Sequence, residues 1–587
     1  MFATLAFLAQ AIHDPGRMSG VRIRRREPGP AGDWPERYPE LLRRLYAARG
    51  AIGPSSAQPR LAELPSPDAM PGIEAATALL EDAIANDRRI VVVADFDCDG
   101  ATACATGVRG LRMLGARNVA YAVPNRAVHG YGLTPALVEE LAVLDPELLV
   151  TVDHGIACHA GIAAARARGW QVLVTDHHLP GETLPDANAI VNPALPGHDF
   201  GSRALAGVGV LFYLLLALRK RLREDGRLPA SEPDLSVLLD LVAVGTVADL
   251  VPLDACNRAL VSAGLRRLRA GQGCAGLNAL AQVAARETAT LTAGDIGFGI
   301  APRINAAGRL EDMTVGIECL LCDDPPRALE LATALDAINR ERRTLQQQTT
   351  DDAEAVLAEL GNEFAEPPIA LCLHDSEWHA GVVGLVASKL AQRAHRPAVV
   401  FAPAQPDSKE LRGSARSIPG LHIRDVLAAV DAANPGLIER FGGHAMAAGL
   451  TLASSNLPAF ETALREAVTA MLDPAVLQAE LWTDGELDPS QFDRTTADLL
   501  RDGGPWGQAW PEPLFDGTFD VLAWRKVGER HLKLELGHDG RRLNTIHFGG
   551  WDGNEPPRRV RIAYRLQADD WRGGDAVQLV VEHREPA

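Results

Sequence analysis

The stretch IVVVADFDCDG, residues 90–100, decides the fold. Ile90 to Ala94 is an unbroken apolar run rich in β-branched residues, the pattern of a short strand buried on both faces. Acidic residues and a closing Asp-Gly stop it abruptly, as at a turn. The rhythm continues downstream. NVAYAV (118–123), LLVTVD (148–153), WQVLVTDHH (170–178) and AIVNPAL (189–195) read as strands, with helices expected over Ala101–Leu114, Pro135–Val143 and Ala160–Arg168. Such alternation predicts a mostly parallel, doubly wound α/β sheet, whose ligands gather at the carboxyl ends of the strands.

The remaining chain divides around this unit. An extension over 1–50 precedes an α/β domain expected over 51–325. A largely polar helical stretch over 326–360, containing DAINRERRTLQQQTTDDAEAV, has the character of a helix bridging domains. IALCLHD, HAGVVGLVASKLAQR and PAVVFAP then restart the strand–helix–strand rhythm in a smaller α/β domain over 361–473. In 474–587 glycine, proline and tryptophan rise, and about five short alternating strands suggest a small barrel of the OB type.

Composition sets outer limits. The chain has 587 residues, 47% hydrophobic and 23% charged, with 58 Lys+Arg against 76 Asp+Glu and a net charge of −18. A disordered or fibrous chain is excluded. The acidic sum speaks to the far field and not to where charges sit, so it does not exclude a nucleic-acid partner. Nearly all the cations are arginine, with lysine only at 220, 389, 409, 526 and 533; arginine is the better bidentate phosphate ligand. MFATLAFLAQAI lacks the preceding positive charge of a signal peptide, and Ala204–Leu218 is too short to span a bilayer. A cytoplasmic, membrane-free protein is expected. Its dispersed cysteines read as reduced core thiols, with neither disulfides nor structural zinc.

Asp95, Asp97 and Asp99 stand at alternate positions directly after a buried strand. Carboxylates this close repel one another, and a divalent cation is the usual means of keeping them ionised together. An isolated DxDxDG is as often a solvated turn. Here the pattern recurs at strand ends: Asp153-His154 in TVDHG, and Asp176-His177-His178 in VTDHH. Asp249 adds a carboxylate inside the apolar LVAVGTVADLVPL, where an unpaired charge is costly. Mixed carboxylate and imidazole donors suit Mn²⁺ or Mg²⁺. Two such ions would activate a water and stabilise the leaving oxygen in phosphoryl displacement. Which of Asp95, Asp97 and Asp99 ligate directly is open, because alternate residues on a straight strand face opposite ways.

DFDCDG, VDHG, TDHH and the Asp249 segment resemble the four motifs of the DHH phosphoesterases. The resemblance implies Asp97, Asp99, Asp153, His177 and Asp249 as ligands of two ions, Asp95 as a further catalytic or ligand carboxylate, and Asp176 and His178 as catalytic residues. His178 would contact the scissile phosphate or orient the nucleophilic water. PNRAVHGYGL, GVGV, GFGIAPRINAAGRL, WHAGVVGLVASKL, GSARSI and RFGGHAMAAGL are similar to the branch of that family that degrades single-stranded DNA, over about residues 50–585. The resemblance then implies a DHH-associated domain closing on substrate. Gly442, Gly443, His444, Ser414, Arg416 and Arg126 would hold a terminal 5′-phosphate. Arg303, Asn305 and Arg309 would track the backbone, and His379 would face the cleft.

Paired glycines let backbone N–H groups approach a phosphate, and a hydroxyl beside a guanidinium forms a clamp. Arg525, Lys526, Arg530, Lys533, Arg541 and Arg542 lie near Trp524, His531 and Phe548 in the barrel, a mixture suited to a single strand. The expected activity is metal-dependent 5′-to-3′ exonucleolytic hydrolysis of single-stranded DNA to mononucleotides in recombination and repair. The expected protein is a monomer working with a single-strand-binding protein and a helicase. Two other readings remain: a phosphodiesterase for cyclic dinucleotides or short oligoribonucleotides, and a catalytically inactive nucleic-acid-binding subunit.

Overall fold

The computed structural model describes residues 21–30, 32–125, 128–198, 200–228, 232–360, 368–405 and 408–587, with the backbone course alone over 354–360. The chain folds as two compact units. One comprises residues 28–340 with 501–512; the other comprises 341–500, 513–587 and the described start of the chain up to Glu27.

In the first unit the five strands foreseen from the sequence form one sheet in the order Val119–Ala122, Ile90–Ala94, Leu148–Val152, Gln171–Thr175, Ala189–Val191. Every pairing is parallel. Ile90–Ala94 and Leu148–Val152 are buried along their whole length, as central parallel strands covered on both faces must be. Each fully buried Val or Leu contributes roughly 1.5–3 kcal/mol of transfer free energy. One face packs on the helices Pro135–Leu141 and His159–Ala167 through Val91, Val93, Leu149, Leu137, Val138 and Ile162. The other face meets Cys98–Met113, which lies against Gly207–Glu224 and Leu239–Ala248. The strand order reverses direction between Ile90–Ala94 and Leu148–Val152, so the topological switch point opens at Asp95 and Asp153.

Two sequence expectations change. The 1–50 extension is built into the fold over its described part. Leu41, Leu42, Leu45 and Tyr46 of the helix Glu40–Ala47 are buried, and Arg22–Arg25 pairs in parallel with Glu480–Thr483. The barrel domain is also interrupted, because residues 501–512 belong to the first unit. There Trp510 is buried. Its ring stacks on Tyr46 with centroids 6.1 Å apart, and the Arg258 guanidinium carbon lies 3.9 Å from its centre. The Tyr46 hydroxyl donates to the Gly503 carbonyl at 2.7 Å. Trp506 also packs on Tyr46 with centroids 5.8 Å apart and has the Arg49 guanidinium 5.2 Å from its centre, so both tryptophans are packing groups.

The helix Pro325–Leu360 is one continuous element of 36 residues. In the second unit a five-stranded sheet runs Arg440–Gly443, Ala447–Ala453, Glu410–Arg416, Ala398–Pro403, Leu371–His374. It is mixed, with only the last pair parallel. Phe515–Val527, His531–His538, Arg541–His547, Arg559–Ala568 and Val577–Pro586 form the closed barrel. Among the described residues no helix is long and apolar enough to cross a membrane. The eight cysteines are free; Cys319 and Cys322 do stand at CxxC spacing, at the end of the helix Thr314–Leu321.

Candidate metal centre

The loop leaving Ile90–Ala94 turns into the helix Cys98–Met113 with Asp97 as its N-cap, its carboxylate accepting the Gly100 N–H at 3.0 Å. A side chain at position 100 would stand 2.5 Å from the Asp95 carbonyl oxygen, so glycine permits the sharp turn. At the adjacent strand end Asp153 adopts φ = 64°, the left-handed region that Asp tolerates better than most residues. This turns its carboxylate toward the Asp95–Asp99 loop. Asp249 closes the helix Leu239–Ala248 from the other side.

Ligand-type atoms of Asp95, Asp97 and Asp153 lie within 4.8 Å of one another, as do those of Asp99, His177 and Asp249, and those of Asp153, His177 and His178. The first two sets share no residue and the third joins them through Asp153 and His177, so donors are present for two neighbouring ions. His177 Nε2 stands 3.1 Å from Asp153 Oδ1 and 3.5 Å from Asp249 Oδ2. Asp153 Oδ1 is buried without a hydrogen-bond partner, and burial with the neighbouring carboxylates pushes the carboxyl groups of Asp153 and Asp249 far up. Asp99 is pushed up to about 7, by burial first and then by Asp97. It is held partly in check by the first turn of Gly207–Glu224, whose Gly207 and Val208 N–H groups donate to its two oxygens at 2.6 and 3.0 Å. Crowded, desolvated hard oxygens with one imidazole fit divalent cations such as Mn²⁺ or Mg²⁺.

Asp176 has a different place. Its Oδ1 accepts the N–H groups of His177 and His178 at 2.8 and 3.1 Å and lies 2.7 Å from His178 Nδ1, while Oδ2 accepts the Ile156 N–H at 2.9 Å. Burial opposes its charge, but these bonds prevail and its pKa falls to about 2. Burial likewise works against the His178 cation, and Asp176 overcomes it, leaving His178 raised. Asp176 thus shapes the turn and orients His178. His154 is fully buried with Nε2 3.0 Å from the Val93 carbonyl, a structural histidine. Cys98 packs inward, buried.

Among the other expected residues, Arg126 lies outside the described residues. The PRINAAGR segment is a helix, Ala301–Leu310, entered through a wide turn at Ile296–Ile300. Arg303 is a correction. Its guanidinium is buried, donates to Asp336 Oδ1 at 2.9 Å and to the Gly299 carbonyl at 2.5 Å, and faces the interior, not a DNA track. Asn305 Oδ1 accepts the Cys98 N–H at 2.8 Å, so it too is turned to the protein. Arg309 lies half-buried in the last helical turn.

In the second unit Arg416 donates to Ser414 Oγ at 2.8 Å and to Ser388 Oγ at 2.9 Å. Gly442 and Ser414 flank Gly449 on either side in the sheet register. Gly442, Gly443, His444 and Gly449 are exposed, so bare backbone borders the Ser–Arg pair. Gly384, absent from the sequence expectations, belongs here: a side chain on it would crowd Ser414 Oγ and Arg416 Nη2 at 3.0 Å. Exposed His379 accepts the Gly381 N–H at 3.0 Å.

On the barrel, Trp524 stacks on Trp551 at 5.5 Å with Lys526 Nζ 5.9 Å from the Trp551 ring, and His531 meets Phe548 edge-on at 5.5 Å. Trp551 escaped sequence reasoning, as did Tyr131, whose half-exposed ring stands edge-on to Phe96 and His178 at 5.9 and 6.2 Å. The left-handed glycines on either side of Tyr131, Gly130 and Gly132, were the available signal.

A parallel sheet carrying Asp/His clusters at its switch point, with a mixed α/β sheet and a closed barrel, defines a DHH-type phosphoesterase. Residues 89–246 match the DHH family, N-terminal domain, 366–470 the DHHA1 domain and 483–583 the RecJ OB domain. The single-stranded-DNA-specific exonuclease RecJ of Dickeya dadantii is 48% identical over 579 residues, covering 97% of this chain and 100% of the relative. The Mn²⁺ complex of RecJ from Thermus thermophilus aligns with TM-score 0.77 and 31% identity, over 96% of this chain and 80% of that one. The Mg²⁺ complex from the same organism gives 0.73 and 29%, over 96% and 79%. This chain belongs to the RecJ family.

Proposed function

We propose that this protein is a metal-dependent exonuclease that hydrolyses single-stranded DNA from its 5′ end to mononucleotides, serving recombination and repair. The observation that carries the reading is the pair of separate donor sets, Asp95–Asp97–Asp153 and Asp99–His177–Asp249, at the sheet's switch point. They occur in a chain matched along nearly its whole length by a relative named a single-stranded-DNA-specific exonuclease.

Asp97, Asp99, Asp153, His177 and Asp249 would hold two divalent cations, with Asp95 as a further ligand. When bound, these ions supply an activated water and charge compensation at the leaving oxygen. The protein's own groups do the remainder. His178, oriented by Asp176, which also raises its pKa, donates to a non-bridging phosphate oxygen and draws the phosphodiester into line. Ser414, Arg416 and the backbone at Gly442–His444 receive the terminal phosphate, with Arg126, Arg309 and His379 as further substrate contacts. Trp524, Trp551 and the barrel cations hold bases and phosphates of the strand downstream. A monomeric, cytoplasmic protein handed its substrate by a helicase and a single-strand-binding protein completes the proposal.

The test uses 5′- and 3′-labelled single strands with Mn²⁺ or Mg²⁺. Wild-type protein should release label from the 5′-labelled strand first. Asp97→Ala and His177→Ala should lose digestion by at least about 10³-fold while keeping wild-type circular dichroism. Undiminished digestion by both variants would refute the site.

A further inference from the structure

We infer that Asn305 is a positioning residue for the cation centre, and that the helix Ala301–Leu310 is the template on which the Asp95–Asp99 loop is shaped; this rests on the metal-dependent reading of that centre. The loop must leave a strand, turn and begin a helix within a few residues while presenting three carboxylates. The first amide N–H groups of a helix have no carbonyl partner within it. They are strong donors, and the carboxylates meant for cations lie in the same stretch of chain. Asp97 Oδ1 takes the N–H of Gly100 at 3.0 Å. The N–H of Cys98 is satisfied from outside, by Asn305 Oδ1 at 2.8 Å. An amide oxygen is an acceptor suited to that bond.

A second contact is steric. A Cβ on Gly308 would stand 1.9 Å from the carbonyl oxygen of Phe96, so the helix backbone is pressed directly against the loop. Asn305 and Gly308, three residues apart, lie on the same helix face. The helix is fixed in turn by Arg303, which bonds Asp336 Oδ1 through Nε at 2.9 Å and Nη2 at 2.8 Å and caps the Gly299 carbonyl. A segment that supplies no ligand therefore sets where the ligands stand, as partners behind metal ligands do elsewhere.

The test uses full-length protein, with Mn²⁺ uptake measured by electron paramagnetic resonance without DNA, and kcat and KM measured on a single-stranded oligonucleotide. Asn305→Ala and the near-isosteric Asn305→Leu should bind Mn²⁺ roughly 10–100-fold more weakly, with KM for DNA unchanged at saturating Mn²⁺. Asn305→Asp, which restores the acceptor, should recover affinity to within a few-fold of wild type. Wild-type Mn²⁺ titrations in both Ala and Leu variants would overturn the inference, and a raised KM at unchanged Mn²⁺ affinity would place Asn305 on the DNA. If Asn305→Ala fails to fold, Asn305→Leu carries the test; failure of both would make the side chain a folding element and overturn the inference as well. A wild-type protein that takes up no Mn²⁺ would instead bring down the metal centre itself.

Discussion

Chelating the divalent cations should make this protein lose stability as the pH rises from about 6.5 to 8.5. Burial and mutual repulsion raise Asp99 to about 7, and raise Asp153 and Asp249 as well. A carboxyl group whose folded pKa exceeds its unfolded one holds a proton that the unfolded chain has released. Its contribution is complete below the unfolded value near 4 and is lost as the pH climbs through the folded value. His178, also raised, acts in the same direction. The buried neutral His154 and His547, both lowered to about 4, act oppositely, but their effect is complete once the unfolded histidine has titrated near 6.5. Above that pH the carboxylates dominate. Release of the Asp99 proton near 7 corresponds to roughly 0.8 kcal/mol between pH 6.5 and 8.5, at about 1.4 kcal/mol per unit of pKa difference, and Asp153 and Asp249 add to it in the same direction. For a unit of this size each kcal/mol is a fall of roughly 1–2 °C in the midpoint of its transition. Scanning calorimetry in chelator and in Mn²⁺ at pH 6.5, 7.5 and 8.5 would read it. Bound cations replace the protons, so the Mn²⁺ samples should hold their midpoint and the gap should widen with pH. A chelated protein equally stable at 6.5 and 8.5, or a gap that does not widen, would refute the reasoning.

Gly207→Ala would place a Cβ 2.5 Å from that of Asp153; unfolding by urea should show a loss of about 1–3 kcal/mol, together with weaker Mn²⁺ uptake. Arg303→Met should cost about 3 kcal/mol, the low end for a broken buried pair because Arg340 still pairs with Asp336 at 2.5 Å. Its KM for DNA should stay unchanged, whereas a raised KM with intact stability would return Arg303 to the substrate. Trp551→Ala should weaken single-strand binding by about 1–3 kcal/mol in fluorescence anisotropy, and wild-type affinity should fall steeply with added salt.

The sheet was legible because its strands are buried on both faces, which leaves apolar runs such as Ile90–Ala94 with little alternative. Its candidate cation donors were legible because acidic residues directly after such runs have few structural uses. What sequence could not supply was the partner of each polar side chain. Arg303 and Asn305 sit in a cationic, glycine-bearing segment that reads as a DNA track. The features that turn them inward, Asp336 and the Cys98 N–H, lie 33 and 207 residues away along the chain. Asp176 and His177 are adjacent in one motif, yet one knots the turn and the other faces the cation donors. Strand geometry at that bend separates them, and no spacing rule does. Nor does the sequence around Trp510 disclose its partners, Arg258 and Tyr46, which pack against its ring from distant parts of the chain.

That tryptophan also has a consequence in time. The unit holding the metal centre is finished by residues 501–512, about 160 residues beyond Arg340. At typical rates of synthesis, roughly 10–30 s separate the emergence of Arg340 from that of Trp510. Through that interval Tyr46 and Arg258 lack their tryptophan partner, so the unit that holds the metal centre reaches its final packing only when nearly the whole chain has been made.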